Sequence, residues 1–475
     1  MQHRKYKRAV VWFRTDLRIA DNSALAAAVE TADEVIPLFV LDRSILDRAD
    51  TGLARVIFML DALKHLDANL RSRGSRLFLR QGVAPDEAIR AVRELEADAV
   101  FFNRDYEAYA RTRDDSFTRE MKNHGVTVTA FDDYVLHDPG EVLTQAVGFY
   151  TVFTPYKRSW FERPVSQPVS APTRIHSPND ILSADIPTAK DMGLSTLQHF
   201  ECGGENAASA LLSQFVAQSL QDYPEQRDVP GVAGTSHLSK HLHFGTISPR
   251  TIFSAVNGKS GSDVFLNEIA WRDFYVQVMY NFPHVEVGSF KRDLNNIEWT
   301  GGDSWFDAWV AGQTGYPIVD AAMRQLRDEA WMHNRCRMIV ASFLTKDLLI
   351  DWRRGELYFM QMLVDGDKAA NNGGWQWSAG TGTDAQPYFR IFNPVSQGEK
   401  FDPRGEYVRK YIPELAKVPD KYVHKPWLLS PTEQAYVGCR IGIDYPAPIV
   451  DHAVQRTAAL ALYKRAASIS HQNTV

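Results

Sequence analysis

Cysteine is scarce: Cys202, Cys336 and Cys439 are the only three in 475 residues, and none stands in a CxxC pair. Three isolated thiols supply neither a disulfide framework nor a zinc ribbon, and they suit a reducing cytoplasm. A long apolar run is missing, as is a cationic leader with an apolar core, so a soluble, unexported, cytoplasmic protein with no membrane partner is expected. Excess positive charge is also absent. A formal net charge of −5 argues against bulk electrostatic coating of nucleic acid and leaves room only for a focused basic patch. No GxGxxG follows the first strand-like run; Trp12-Phe13-Arg14-Thr15-Asp16-Leu17-Arg18 stands there, which disfavours an ordinary dinucleotide site in that part of the chain. Internal repeats and low-complexity blocks are lacking too.

What is present reads as two domains, because 475 residues exceed the size of a single core and the patterning changes along the chain. Short apolar runs at Ala9 to Phe13, Val35 to Val40, Arg76 to Leu79, Ala99 to Phe102 and Val126 to Phe131 alternate with the amphipathic stretches Leu53 to Arg71, Pro85 to Glu96 and Asp115 to Asn123. That alternation predicts an α/β domain with a doubly wound parallel sheet over residues 1–135. Residues 136–203 form a connector whose part from Pro164 to Leu197, rich in Pro, Ser, Ala and Thr, is expected to wrap over the surface. Beyond Gly204 helical periods follow one another, at Ala207 to Leu220, Val264 to Tyr280, Val319 to Arg327 and Arg335 to Leu349, so residues 204–475 are expected to be all-α.

Three segments of the helical part carry chemistry. From Asp365 to Trp377 stand two carboxylates, three amides, a glycine pair and two indoles, a mixture unlike a packing helix. A solvated turn seldom carries two tryptophans, so a ligand site is the better reading; a cation shared by Asp365 and Asp367 is the alternative, weakened by the lack of histidines and further acids, and no metal is expected. Gly234-Thr235-Ser236-His237-Leu238-Ser239 places hydroxyls and free N–H groups before an amphipathic stretch, which suits phosphate or simple capping. In Trp331-Met332-His333-Asn334-Arg335-Cys336-Arg337-Met338 the two arginines, two apart on a helix, are expected to point to different sides.

Taken in order, Thr314-Gly315-Tyr316-Pro317-Ile318-Val319-Asp320-Ala321-Ala322-Met323-Arg324-Gln325-Leu326, Trp331 to Met338, Asp365 to Trp377, and Phe389-Arg390-Ile391-Phe392-Asn393-Pro394 closely resemble the photolyase and cryptochrome family. The N-terminal Trp12 to Arg18 with Asp21-Asn22 resembles its opening motif, and the likeness, which spans the chain, is nearest to class I cyclobutane pyrimidine dimer photolyases of the deazaflavin-antenna type. The resemblance implies FAD in the helical domain, with Tyr223, Thr235, Ser236, His237, Leu238 and Ser239 on its phosphates and ribityl chain. His237 stands where many relatives have Arg. Arg272, Asp365 and Asp367 would line flavin and adenine, Arg337 would pair with an acid such as Asp365, and Asn371 would face flavin N5 as donor or acceptor.

The same likeness implies light-driven repair of pyrimidine dimers in DNA: excited, reduced FAD gives an electron to a flipped-out dimer, the cyclobutane ring splits and the electron returns. Trp271 and Trp377 would pack on the dimer, Glu268, Arg272 and Asn334 would contact its bases, and Met338 would lie over them. Arg335, Arg390, Gln397 and Lys400 would meet phosphate. Trp375, Trp352 and Trp299 match an electron relay to the flavin. Relatives acting on six-four photoproducts place histidines where Asn334 and Met338 stand, which argues against that lesion. A cryptochrome photoreceptor without repair is the alternative; retention of both pocket indoles and a short tail weigh against it. Asn103-Arg104-Asp105-Tyr106-Glu107-Ala108-Tyr109-Ala110-Arg111 resembles antenna sites for 8-hydroxy-5-deazaflavin more than those for methenyltetrahydrofolate, which carry Asn-Glu in place of Tyr109-Ala110. A monomer is expected.

Overall fold

A computed structural model describes residues 4–178, 180–385 and 387–472. Strands β1 (Tyr6–Phe13), β2 (Ala32–Leu41), β3 (Phe78–Gln81), β4 (Ala99–Asn103) and β5 (Thr127–Phe131) form one parallel sheet of order β3-β2-β1-β4-β5, with Val10 opposite Ile36 and Val100. β1 is central, and its apolar run is explained by cover on both faces. Ala9, Val11 and Phe13 pack with the helices Ser23–Thr31 and Leu53–Arg71, whereas Val10 and Trp12 pack with Ala84–Glu94 and Ala108–Asn123. Winding outward from β1 in both directions leaves a crevice at the carboxyl ends of β1 and β4, where open α/β sheets take ligands.

The connector is bonded to the sheet as well as draped over it. Main-chain bonds join Ile175 N–H to Arg73 O at 2.8 Å and Val35 N–H to His176 O at 2.7 Å, and Ala184 bridges to Leu79 of β3, covering that edge. In the helical half, Arg335 to Leu349 is not one helix: Asn334–Ser342 gives way to a π turn, Phe343–Asp347. Three polar side chains of that turn have distant or backward partners. Thr345 donates to Ala341 O at 2.8 Å, Lys346 to Ala379 O at 2.8 Å, and Asp347 pairs with His452 at 2.5 Å.

The halves are held together by buried charge. Arg18 meets Asp133, and Arg250 meets Asp133 and, at 2.8 Å, Asp21. These side chains are all less than a tenth exposed, so loss of either arginine leaves a buried carboxylate short of compensation, a change that costs roughly 3 to 5 kcal/mol in such settings. Asp21 and Asn22 of the opening motif thereby have structural work: Asn22 caps the helix Ser23–Thr31 through Leu25 N–H at 3.0 Å.

Candidate functional site

A cavity of about 490 Å³ opens in the helical half, walled by the helices Ser262–Asn281 and Lys368–Ala379, the start of Asn334–Ser342, and the segment 235–243. It gathers residues far apart in sequence. Tyr223, Thr235, Ser236, His237, Leu238, Ser239, Glu268, Trp271, Arg272, Asn334, Arg335, Arg337, Met338, Asp365, Asp367, Asn371, Trp375 and Trp377 all line it.

One wall is a cradle of main-chain N–H groups. His237 adopts left-handed φ (+52°), and among the described residues the N–H groups of Thr235, Ser236 and His237 have no protein acceptor. Successive free N–H groups around a left-handed residue suit an anion, so this wall fits the phosphates of FAD. Leu238, 2% exposed, anchors the cradle in the core. The His237 ring lies on Trp331 with centroids 4.3 Å apart, and burial lowers its pKa, favouring the neutral imidazole.

The segment Asp365 to Trp377 departs from its expectation, for most of it is a packed helix, Lys368–Ala379. Asp367 is its N-cap, accepting from Ala370 N–H at 2.8 Å, and it also accepts from the Tyr134 hydroxyl. Burial alone would raise the Asp367 carboxyl, but the nearby His243 and the charge of Arg272 carry it below the ordinary range. Asp365 accepts from Arg337 Nη2 at both carboxylate oxygens, at 2.8 and 3.1 Å, while Arg337 Nε donates to Met332 O. Asn371 donates through Nδ2 to Glu356 O at 3.0 Å, which leaves Oδ1 as its acceptor toward a ligand.

The glycine pair has two different functions. A Cβ on Gly373 would stand 2.1 Å from Tyr275 Cδ1, so glycine permits the close approach of the two helices, whereas a Cβ on Gly374 would meet nothing within 4 Å. Alanine at 373 gains about 1 kcal/mol of helix propensity, but relieving the overlap moves a ring or a helix, typically a cost of about 1 to 3 kcal/mol. Gly373→Ala is therefore expected to lower the melting temperature and weaken FAD retention; Gly374→Ala should leave stability unchanged or slightly raised. Thermal unfolding and the flavin content of the two purified variants check this.

On the third wall Arg335 and Arg337 both face the cavity, contrary to the opposed orientation expected, because the cavity curves around the first turn of Asn334–Ser342. Arg335 pairs with Asp228 at 2.9 Å and lies over Phe401, 4.3 Å from the ring centroid. Glu268 pairs with Arg227 at 2.8 Å; burial raises its pKa and Arg227 opposes the rise. Arg227 and Asp228 went unnoticed in the sequence because charges in a Pro-rich turn read as solvated. His243, whose Nδ1 lies 3.9 Å from Asp367, gave no signal either.

Not every assigned residue reaches the cavity. Arg390 and Lys400 are exposed and Gln397 half-buried outside its lining. Trp375 meets the cavity at 2% exposure, Trp352 is buried in the same core at 1%, and Trp299 packs against that core while half-exposed. Gly355 makes room for Trp375, since a Cβ there would lie 2.1 Å from its ring.

Two family models match the chain: DNA photolyase over residues 9–173 and the FAD binding domain of DNA photolyase over residues 265–465. The deoxyribodipyrimidine photo-lyase of a Synechococcus strain is 42% identical over 473 residues, covering 96% of each chain. A class III photolyase from Agrobacterium tumefaciens superposes with a TM-score of 0.91 at 39% identity, covering 97% of this chain and 98% of that one. An archaeal photolyase from Sulfolobus tokodaii, solved with two FAD molecules, gives a TM-score of 0.85 at 33% identity over 96% of this chain and all of its own. The chain belongs to the photolyase and cryptochrome family, and within it to the deoxyribodipyrimidine photolyases, DNA-repair enzymes with an FAD-binding helical domain.

Proposed function

We propose that this enzyme repairs cyclobutane pyrimidine dimers, received as a flipped-out dinucleotide in the large cavity of the helical half. Reduced FAD, when bound there, supplies on excitation the electron that opens the cyclobutane ring. The observation that carries this reading is the convergence of two kinds of wall on one cavity: the N–H cradle at 235–237, and the indoles of Trp271 and Trp377 with the amide of Asn334.

No side chain acts as nucleophile. The residues bind, orient and exclude water. The cradle would hold phosphate, Arg272 and Asp367 would line the flavin and adenine, and Asn371, with one Nδ2 hydrogen given to Glu356 O, would face the ring with Oδ1 as acceptor. The indoles give sequence-tolerant stacking, so thymine and cytosine are both accepted. Glu268, steadied by Arg227, accepts from base N–H groups, and Asn334 can donate or accept. Arg335, Arg390, Gln397 and Lys400 serve the flanking phosphates, few contacts that agree with a net charge of −5.

The lesion follows from positions 334 and 338. Neither an amide nor a thioether passes a proton at neutral pH, whereas six-four repair requires acid and base groups beside the lesion. Reduced enzyme under blue or near-ultraviolet light should restore DNA containing cyclobutane dimers and leave six-four DNA unchanged. Comparable repair of six-four DNA would overturn the assignment.

A second cavity, of about 210 Å³ at the carboxyl ends of the sheet strands, suits an antenna chromophore, for which 8-hydroxy-5-deazaflavin is the best candidate. Its lining joins the apolar Ile45, Leu46 and Met59 to Arg48, Arg55 and Arg113 and to the acids Asp42, Asp50, Asp105 and Glu107, a mixed wall that suits a flat ring with polar substituents. Tyr109, in place of the folate-type Asn, donates to Asp42 at 3.3 Å. Absorption and fluorescence of the chromophores released from purified protein should show a deazaflavin beside FAD; folate or a second flavin in its place would replace that candidate.

A further inference from the structure

The helix Phe153–Phe161 belongs to the connector, a segment with no expected part in the site, yet its first residue backs one of the cavity's indoles. The rings of Phe153 and Trp271 are nearly parallel, 10° apart, with centroids separated by 3.7 Å, the closest ring pair among the described residues. Phe274 meets Phe153 edge-on at 5.7 Å. Phe153 thus stacks on the Trp271 indole, which also meets Phe274 edge-on at 5.6 Å and Tyr275 at 5.3 Å and lines the cavity.

The segment around Phe153 is held from two sides. Gln277, on the helix that carries Trp271, donates through Nε2 to Tyr150 O at 2.7 Å. From the other side Asp384 accepts from Phe153 N–H at 3.0 Å, and the Thr383 hydroxyl donates to Thr151 O. Thr383 and Asp384 lie just beyond Gly380, the C-cap of the helix that carries Trp377. Asp384 adopts φ of +45°, a left-handed conformation that is uncommon outside glycine but that aspartate takes more readily than most residues.

We infer that residues 150–153 form a clasp between the two indole-bearing helices, and that Phe153 is a positioning residue which fixes the plane of Trp271 for lesion recognition. The inference rests on the reading that Trp271 and Trp377 hold the dimer. An indole with two free torsions loses rotational freedom when a base stacks on it; an indole already stacked on Phe153 has lost that freedom on folding, so binding no longer bears the cost. The clasp also ties the Trp271 side of the cleft to the Trp377 side, which sets their separation.

The test is a titration of dimer-containing and undamaged oligonucleotides, at one salt concentration, with wild type, Phe153→Leu, Phe153→Tyr, Asp384→Ala, Trp271→Ala and Phe153→Leu/Trp271→Ala. Aromatic pairs of this kind contribute up to about tenfold in an equilibrium constant beyond their area, so Phe153→Leu should weaken dimer binding by about three- to tenfold. Undamaged DNA and FAD content should be unaffected, Phe153→Tyr should bind like wild type, and Asp384→Ala should lose part of the affinity. In the Trp271→Ala background Phe153→Leu should add nothing, the mark of a residue acting through another. Unchanged dimer affinity of Phe153→Leu, or an equal loss in both backgrounds, overturns the inference. Should Phe153→Leu fail to hold FAD, Asp384→Ala decides, and full dimer affinity in that variant overturns the clasp. A wild type that fails to prefer dimer DNA defeats the lesion-cleft reading itself, whereas a wild type that prefers it beside an indifferent Phe153→Leu defeats the clasp alone.

Discussion

Trp271→Ala and Trp377→Ala are each expected to weaken binding of dimer-containing DNA by about one to two orders of magnitude, since stacking of a base on an aromatic side chain contributes roughly 1 to 3 kcal/mol. Both indoles line the large cavity and are half-buried there, so each has apolar surface to give to a bound base. Undamaged DNA, held mainly by phosphate attraction, should lose much less. FAD content should persist, because the cradle at 235–237 and the Arg337–Asp365 pair lie on other walls of the cavity. Titration of both DNAs with wild type and the two variants at one fixed salt concentration gives the result directly. Equal affinity of the wild type for dimer and undamaged DNA would contradict a dimer-recognising cleft and bring the photoreceptor alternative forward.

The parts of the molecule that the sequence makes legible are those where local pattern and tertiary environment agree. β1 reads as a strand because both its faces are buried, and Leu53–Arg71 reads as a helix over the span it occupies. Asp365 to Trp377 shows the limit: its amides, glycines and indoles look wrong for a packed helix, yet Gly373 and Asn371 are explained by partners elsewhere, Tyr275 and Glu356 O. Such partners lie beyond any local window. The ion pairs Arg227–Glu268 and Arg335–Asp228 were invisible for the same reason, as four separate charges have no signature until folding joins them. Phe153 is the extreme case. Nothing in its neighbourhood marks it, and only the fold sets it against Trp271. Asn334, Met338 and the three tryptophans of the expected relay are marked only by the family likeness, where motif position supplies what periodicity lacks.

Trp299→Phe should abolish the light-driven reduction of bound oxidised FAD by an external reductant, and Trp375→Phe should do the same from the other end of the relay. Trp375 stands at the cavity, Trp352 is buried in the same core, and Trp299, half-exposed, is the most exposed of the three. In the relay that the family likeness implies, an electron drawn from Trp375 would be replaced from Trp352, then from Trp299, and finally by the reductant in solution. A phenyl ring is far harder to oxidise than an indole, and in a one-electron step about 59 mV already shifts the equilibrium tenfold. Trp299 is the more informative position, because its edge contact with Tyr463, centroids 6.1 Å apart, lies away from the cavity and the exchange spares the packing around bound FAD. At Trp375 the side chain also fills space above Gly355, so flavin content must be measured alongside. Dimer repair by enzyme reduced chemically beforehand should survive Trp299→Phe at the wild-type rate, since in the proposed repair the electron would be supplied by reduced FAD and would not pass through the relay. Photoreduction unchanged in Trp299→Phe would show that electrons reach the flavin by another route; loss of repair in the pre-reduced variant would show that Trp299 acts on the cleft and not on the supply of electrons.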